Sequence, residues 1–134
     1  MTGPGSASAP PYGTGRTLAF AAVLEAATGL VLIALPARVA DLLLGAPLSG
    51  AGTALARCFG IALLALGLAC WPGRARAESG SAALRAMLAY NVLIALCLAD
   101  LGAVRHLGGV LLWPAVALHA VVALLLVRGW LPRR

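Results

Sequence analysis

Four apolar runs dominate the chain, at about residues 17–35, 52–71, 82–101 and 110–127. Each approaches the roughly 20 residues that a helix rising 1.5 Å per residue needs to cross about 30 Å of hydrocarbon. Lipid offers no water to backbone N–H and C=O groups, so such a run must satisfy them internally, as an α-helix. The punctuation agrees. Pro36 closes the first run, Pro72-Gly73 closes the second, and Pro114 falls in the first turns of the fourth, where a missing N–H is tolerated. The expected fold is all-α: a four-transmembrane-helix bundle forming a single membrane domain over residues 17–134.

Composition excludes the soluble alternative. Apolar residues make up 62% and charged residues 10% of the 134, against roughly 45–50% and about 25% in a soluble domain. The formal charge is +6, but all ten basic residues are arginines scattered beside the apolar runs, so nucleic acid is not an expected partner. Residues 1–16 are rich in Gly, Pro, Ser and Thr with little to bury, and are expected to be a disordered tail. Residues 36–50 carry Arg38 and Asp41 beside Leu42–Leu44, too short a segment to cross, and are expected to form a short interfacial helix after the first span. Residues 73–81 form a hydrophilic loop. A signal peptide is the competing reading of the first run. The uncharged tail before Arg16, Glu25 within the run and the lack of a clean A-x-A site argue against it.

Four spans place Arg16, Arg74, Arg76, Arg85, Arg128, Arg133 and Arg134 on one side, with Arg38, Arg105 and the slightly inset Arg57 on the other. The positive-inside rule then puts both termini in the cytoplasm. Trp71 and Trp130 fall at the cytoplasmic interface and Trp113 at the outer one, where amphipathic rings are expected.

An ionisable group in hydrocarbon needs a partner or a purpose. Counted from the cytoplasmic ends at about 1.5 Å per residue, Glu25, Asn91 and His119 lie about 12, 13 and 12 Å deep, in one layer, with Tyr90 and Thr28 within a turn of it. Ala115, His119 and Ala123 put the imidazole on a small-residue face suited to close helix approach, so the layer is expected to face inward. One reading makes Glu25, Asn91 and His119 a hydrogen-bond network that fixes helix register. The other makes them, with Tyr90, a ligand or proton site. Nearer the outer side, Arg57 has three open choices: an ion pair with Asp100, one with Asp41, or snorkelling to headgroup phosphate.

Small residues recur at helical spacing as Gly52, Ala56 and Gly60 in the second span, and as Ala22, Ala26 and Gly29 in the first, which implies close helix packing within the bundle or between copies. Cys58, Cys70 and Cys97 sit in apolar runs as small packing residues. No Cys/His spacing suits a metal, and His106 and His119 lie at different depths, unsuited to clamping one haem. No metal, cofactor or catalytic residue is expected, and no hydrolase, zincin or phosphate-loop motif is present, so an enzyme is the less favoured class.

The motifs E-x-x-T-G at Glu25–Gly29, A-R-x-x-G at Ala56–Gly60, Y-N at Tyr90-Asn91 and W-P-x-x-x-x-H at Trp113–His119 resemble those of small bacterial four-helix membrane proteins, similar in outline to the DoxX type. The resemblance spans about residues 17–130 and implies a multi-pass bundle in a bacterial inner (plasma) membrane, in a group linked to quinone-associated redox work, with no residue role carried over. The leading functional expectation is a structural or accessory subunit that packs against itself or a larger membrane complex through small-residue faces. The rivals are a proton-coupled or transporting oligomer built on Glu25, Asn91 and His119, and a lipid- or quinone-binding protein using the same layer with Tyr90.

Overall fold

A computed structural model describes residues 12–71 and 81–130. Most of the expected tail, nearly all of the 73–81 loop, and the terminal Arg133 and Arg134 lie outside the described residues. Within them the chain is all-helical: α1 (Tyr12–Ala34), α2 (Pro36–Leu44), α3 (Gly50–Ala69), α4 (Ala82–Ala103) and α5 (Leu112–Trp130). Three stretches, Gly13–Ala34, Gly50–Ala69 and Ala82–Ala103, are long and apolar enough to cross a membrane; the apolar stretch of α5, Leu112–Arg128, is shorter.

The helix boundaries follow from local chemistry. Residues 12–16, expected to belong to the tail, instead form the first turn of α1. Burial of Thr14 and a bond from the Thr17 hydroxyl to the Gly13 carbonyl hold that turn. Only Leu35 separates α1 from α2, because Pro36 has no N–H to continue the first helix yet suits the start of the next. Gly45 ends α2 in the left-handed region, at φ 65°, which favours glycine. Ser49 and Ser81 cap α3 and α4, their side chains accepting from the N–H groups of Gly52 and Leu84.

Packing centres on α1, which lies along α3 on one side and meets the α4–α5 hairpin on another. Leu18, Ala21, Ala22, Cys70, Leu84, Met87, Val122 and Leu126 form a buried cluster. That cluster brings together the start of α1, the end of α3, the start of α4 and the end of α5. The opposite end is closed by backbone. The N–H groups of Gly108, Gly109 and Leu111 donate to the carbonyls of Leu44, Leu43 and Leu42, which the last turn of α2 would otherwise leave free. Arg16, Arg85 and Arg128 therefore stand at one end of the bundle, and Arg38 and Arg105 at the other.

The outer surface is apolar: Leu55, Ile61 and Leu68 on α3, Leu93 and Leu96 on α4, and Leu124 on α5 are all exposed. Water penalises a surface of this kind, and lipid does not.

Candidate functional site

Glu25, Asn91 and His119 meet where α1, α4 and α5 converge. The buried stripe of α4, Leu84, Met87, Asn91, Ala95 and Leu98, repeats at three- and four-residue spacing, so Asn91 occupies a core position on the inward face. On α1 the residues Leu18, Ala21, Glu25 and Leu32 form a similar stripe, and all are buried. On α5, Ala123 is buried one turn beyond the half-buried His119.

The bonding is specific. Asn91 is 0% exposed. Its Nδ2 donates to the Met87 carbonyl at 2.9 Å, which leaves Oδ1 as the acceptor facing His119 Nδ1, also at 2.9 Å. The Tyr90 ring meets the imidazole edge to face, with centroids 5.8 Å apart and planes at 82°. The Tyr90 hydroxyl approaches the Glu25 carboxylate from α4.

Glu25 is the exception. It is 1% exposed, and its Oε1 has no hydrogen-bond partner among the described residues. The nearest cationic candidate is His119 Nδ1 at 3.9 Å, beyond hydrogen-bonding reach. A buried carboxylate oxygen without a donor is a costly arrangement anywhere, and more so where the surroundings are apolar. Thr28, one turn along α1, is exposed and takes no part.

Other expected sites are placed differently. Asp100 pairs with Arg105, Nε to Oδ2 at 3.3 Å, across the end of α4. Among the described residues no ion pair joins Arg57 to Asp100 or to Asp41. Arg57 lies on the outer face of α3 and is exposed, because the inward face of that helix is taken by Gly60, Leu63 and Gly67. Sequence distance explains the preference. Arg105 lies just past the helix end and folds back over it, whereas Arg57 would have to cross from a helix that packs against α1.

The small-residue stripe of α3 is shifted along the helix. Gly60 is buried against α1, but Ala56 and Gly52 are only half-buried. A Cβ on Gly52 would touch nothing closer than 3.4 Å, and only Leu48 and Ser49 of its own chain approach. The tight contact runs through Gly29, Gly60 and Gly67. A Cβ on Gly67 would lie 2.6 Å from the Ala22 carbonyl oxygen, and one on Gly29 would lie 2.6 Å from that of Gly60. The small-residue pattern Gly52, Ala56 and Gly60 does not include Gly67, although its spacing of seven from Gly60, two turns of one face, is a signal the sequence carries.

Each short motif noted in the sequence supplies at least one of these two contacts, and Glu25–Gly29 supplies both. Glu25, Tyr90-Asn91 and His119 make the polar junction, and Gly29 and Gly60 make the glycine seam. No group of three or more His, Cys, Asp or Glu residues suited to a metal occurs among the described residues. The chain matches no family model, no curated protein and no solved structure in comparisons with known proteins.

Proposed function

We propose that this is a four-span integral membrane protein that binds and exchanges a proton at the Glu25–His119 junction, with Asn91 and Tyr90 completing the site. The unpartnered, buried Glu25 Oε1 carries this reading. A network that served only to fix helix register would be expected to satisfy each buried polar atom, as Asn91 is satisfied. An unsatisfied carboxylate oxygen beside an imidazole is a pair of proton acceptors held apart, and intramembrane Glu and His residues are the usual material of proton paths. With Glu25 and Asn91 enclosed, a proton is also the occupant that needs least room.

In this proposal α1, α3, α4 and α5 all cross the bilayer, α5 with Trp113 and Trp130 near its two ends anchoring the short apolar stretch at the interfaces. The amphipathic α2 lies at the outer interface, and both termini are cytoplasmic on the arginine distribution. The membrane is proposed to be the bacterial inner membrane and the chain to be grouped with DoxX-type proteins, on the short motifs that supply the junction and the seam. A lone bundle of this size encloses little pathway, so the working form is proposed to be an oligomer.

The test is proton flux into proteoliposomes under an imposed pH gradient, comparing the native chain with Glu25→Gln. The substitution keeps the shape of the side chain and removes its titration. Loss of flux with retained helicity supports the proposal, and unchanged flux overturns it.

The accessory-subunit reading keeps one observation of its own. Gly52 and the half-buried Ala56 continue the small-residue face of α3 beyond its contact with α1, leaving room for a helix of another chain. Native mass spectrometry of the gently extracted protein separates the two readings. A stoichiometric complex with a different membrane protein, or a bare monomer, supports the accessory role, and a homo-oligomer with no foreign chain supports the proton-exchanging oligomer.

A further inference from the structure

We infer that Asn91 is a positioning residue that fixes His119 as its Nδ1–H tautomer, so that Nε2 is the nitrogen through which a proton enters or leaves the imidazole and Glu25 Oε1 is kept free. This rests on the proton-exchange reading of the same junction and names the residue that would control it.

The chain of causes begins with backbone. The Met87 carbonyl lies one turn before Asn91 on α4 and receives the Asn91 Nδ2–H at 2.9 Å. An amide whose nitrogen is committed in this way must present its oxygen in the other direction. That oxygen sits 2.9 Å from His119 Nδ1. A carbonyl oxygen cannot donate, so the shared hydrogen belongs to the imidazole, and Nδ1 carries it. Free histidine prefers hydrogen on Nε2 when neutral, so the arrangement selects the less favoured tautomer.

Glu25 is the competing acceptor for that hydrogen. Its Oε1 is 3.9 Å from the same Nδ1, whereas Asn91 Oδ1 is within bonding distance. Asn91 wins on distance, and the orphaned state of Oε1 follows directly. Had the imidazole bonded Glu25, the carboxylate would be satisfied and the pair closed to a further proton. The groups facing His119 are Glu25 from α1 and Tyr90 and Asn91 from α4, and Tyr90 meets the ring edge to face without bonding Nδ1. No residue other than Asn91 bonds Nδ1 among the described residues.

The experiment is nitrogen–proton correlation spectroscopy on isotopically labelled full-length protein in lipid, at alkaline pH where the imidazole is neutral, with His106→Gln leaving His119 as the one imidazole of the two in the chain. The expected result is a one-bond proton correlation at Nδ1 and none at Nε2. Glu25→Met in the same background should keep the Nδ1–H signal, because Asn91 alone sets it. Adding Asn91→Leu should move the proton to Nε2. A native spectrum with the proton on Nε2 overturns the inference, as does a tautomer that switches in Glu25→Met. If the double variant fails to fold, the native and Glu25→Met spectra still decide.

Flux is scored separately. An Nδ1–H tautomer in a protein that conducts no protons retires the proton-exchange reading and leaves the positioning role of Asn91 standing. Flux through a protein whose His119 carries Nε2–H does the reverse.

Discussion

α1 meets its two neighbours by opposite means. Along α3 the contact is backbone on backbone: Gly29, Gly60 and Gly67 bring the helices so close that an added Cβ at any of them would fall within 3.0 Å of main-chain atoms. Toward α4 and α5 the contact is made by side chains, and it leaves the Glu25 carboxylate oxygen without a partner. The two faces are linked because Gly29 lies one helical turn from Glu25. Any rotation of α1 that carried Glu25 toward His119 would pull Gly29 off Gly60. The seam therefore explains how an unsatisfied group persists at the junction, since an unfavourable local arrangement survives where surrounding structure over-determines it. A seam this tight is scaffold, and the loose atom beside it is where function is to be sought.

The largest expected effect comes from breaking the seam. Gly67→Ala puts a methyl against the Ala22 carbonyl and the Ala26 N–H, neither of which can turn aside. Overpacking of this kind lowers stability by about 1–3 kcal/mol. Gly52→Ala, on the same helix, meets only ordinary contacts and should change stability by less than about 0.5 kcal/mol. Reversible unfolding in mixed micelles measures both. Equal effects at the two positions would mean that the tight crossing of α1 and α3 is absent in the membrane.

Much of this architecture could be read from the chain. Four apolar runs became four long helices, and the short segment after Pro36 became a helix of its own. Depth counting brought Glu25, Asn91 and His119 to one level, and the structure brings all three together. Depth says nothing of rotation, however. Thr28 shares the level yet faces outward, and depth alone leaves Asp100 among three choices for Arg57 although the two stand on helices that do not share a principal contact. The unsatisfied state of Glu25 was equally invisible, because it depends on which of two acceptors lies nearer Nδ1, a difference set by the packing of three helices.

The junction should respond unequally to loss of its members. Asn91→Leu removes the acceptor of His119 Nδ1 and the donor to the Met87 carbonyl, and should destabilise the protein by about 1 kcal/mol, within the range found for interhelical hydrogen bonds in membranes. Glu25→Met removes the unpartnered Oε1 and fills the same space with apolar atoms, giving up the approach of the Tyr90 hydroxyl to the carboxylate, so stability should change by no more than about 0.5 kcal/mol. The same unfolding assay reads both. If Glu25→Met is as destabilising as Asn91→Leu, then Glu25 is structurally satisfied in the membrane and the contrast between seam and junction fails.

The smallest effect is expected at the far end of the bundle, from the one ion pair of fixed charges found among the described residues. Arg105 and Asp100 are 68% and 51% exposed, so water screens them and little is gained by holding two mobile side chains together. Backbone bonds from Gly108, Gly109 and Leu111 to the last carbonyls of α2 already hold that end, and they do not involve the Arg105 side chain. Arg105→Ala should therefore lower stability by no more than about 0.5 kcal/mol, with the difference shrinking as salt rises toward about 1 M, where the screening length is about 3 Å. A larger loss that salt leaves unchanged would show that the guanidinium is buried against a partner in the assembled protein. That end of the bundle would then be an interface, and the division of α1 into a closed seam and an open junction would no longer describe the whole molecule.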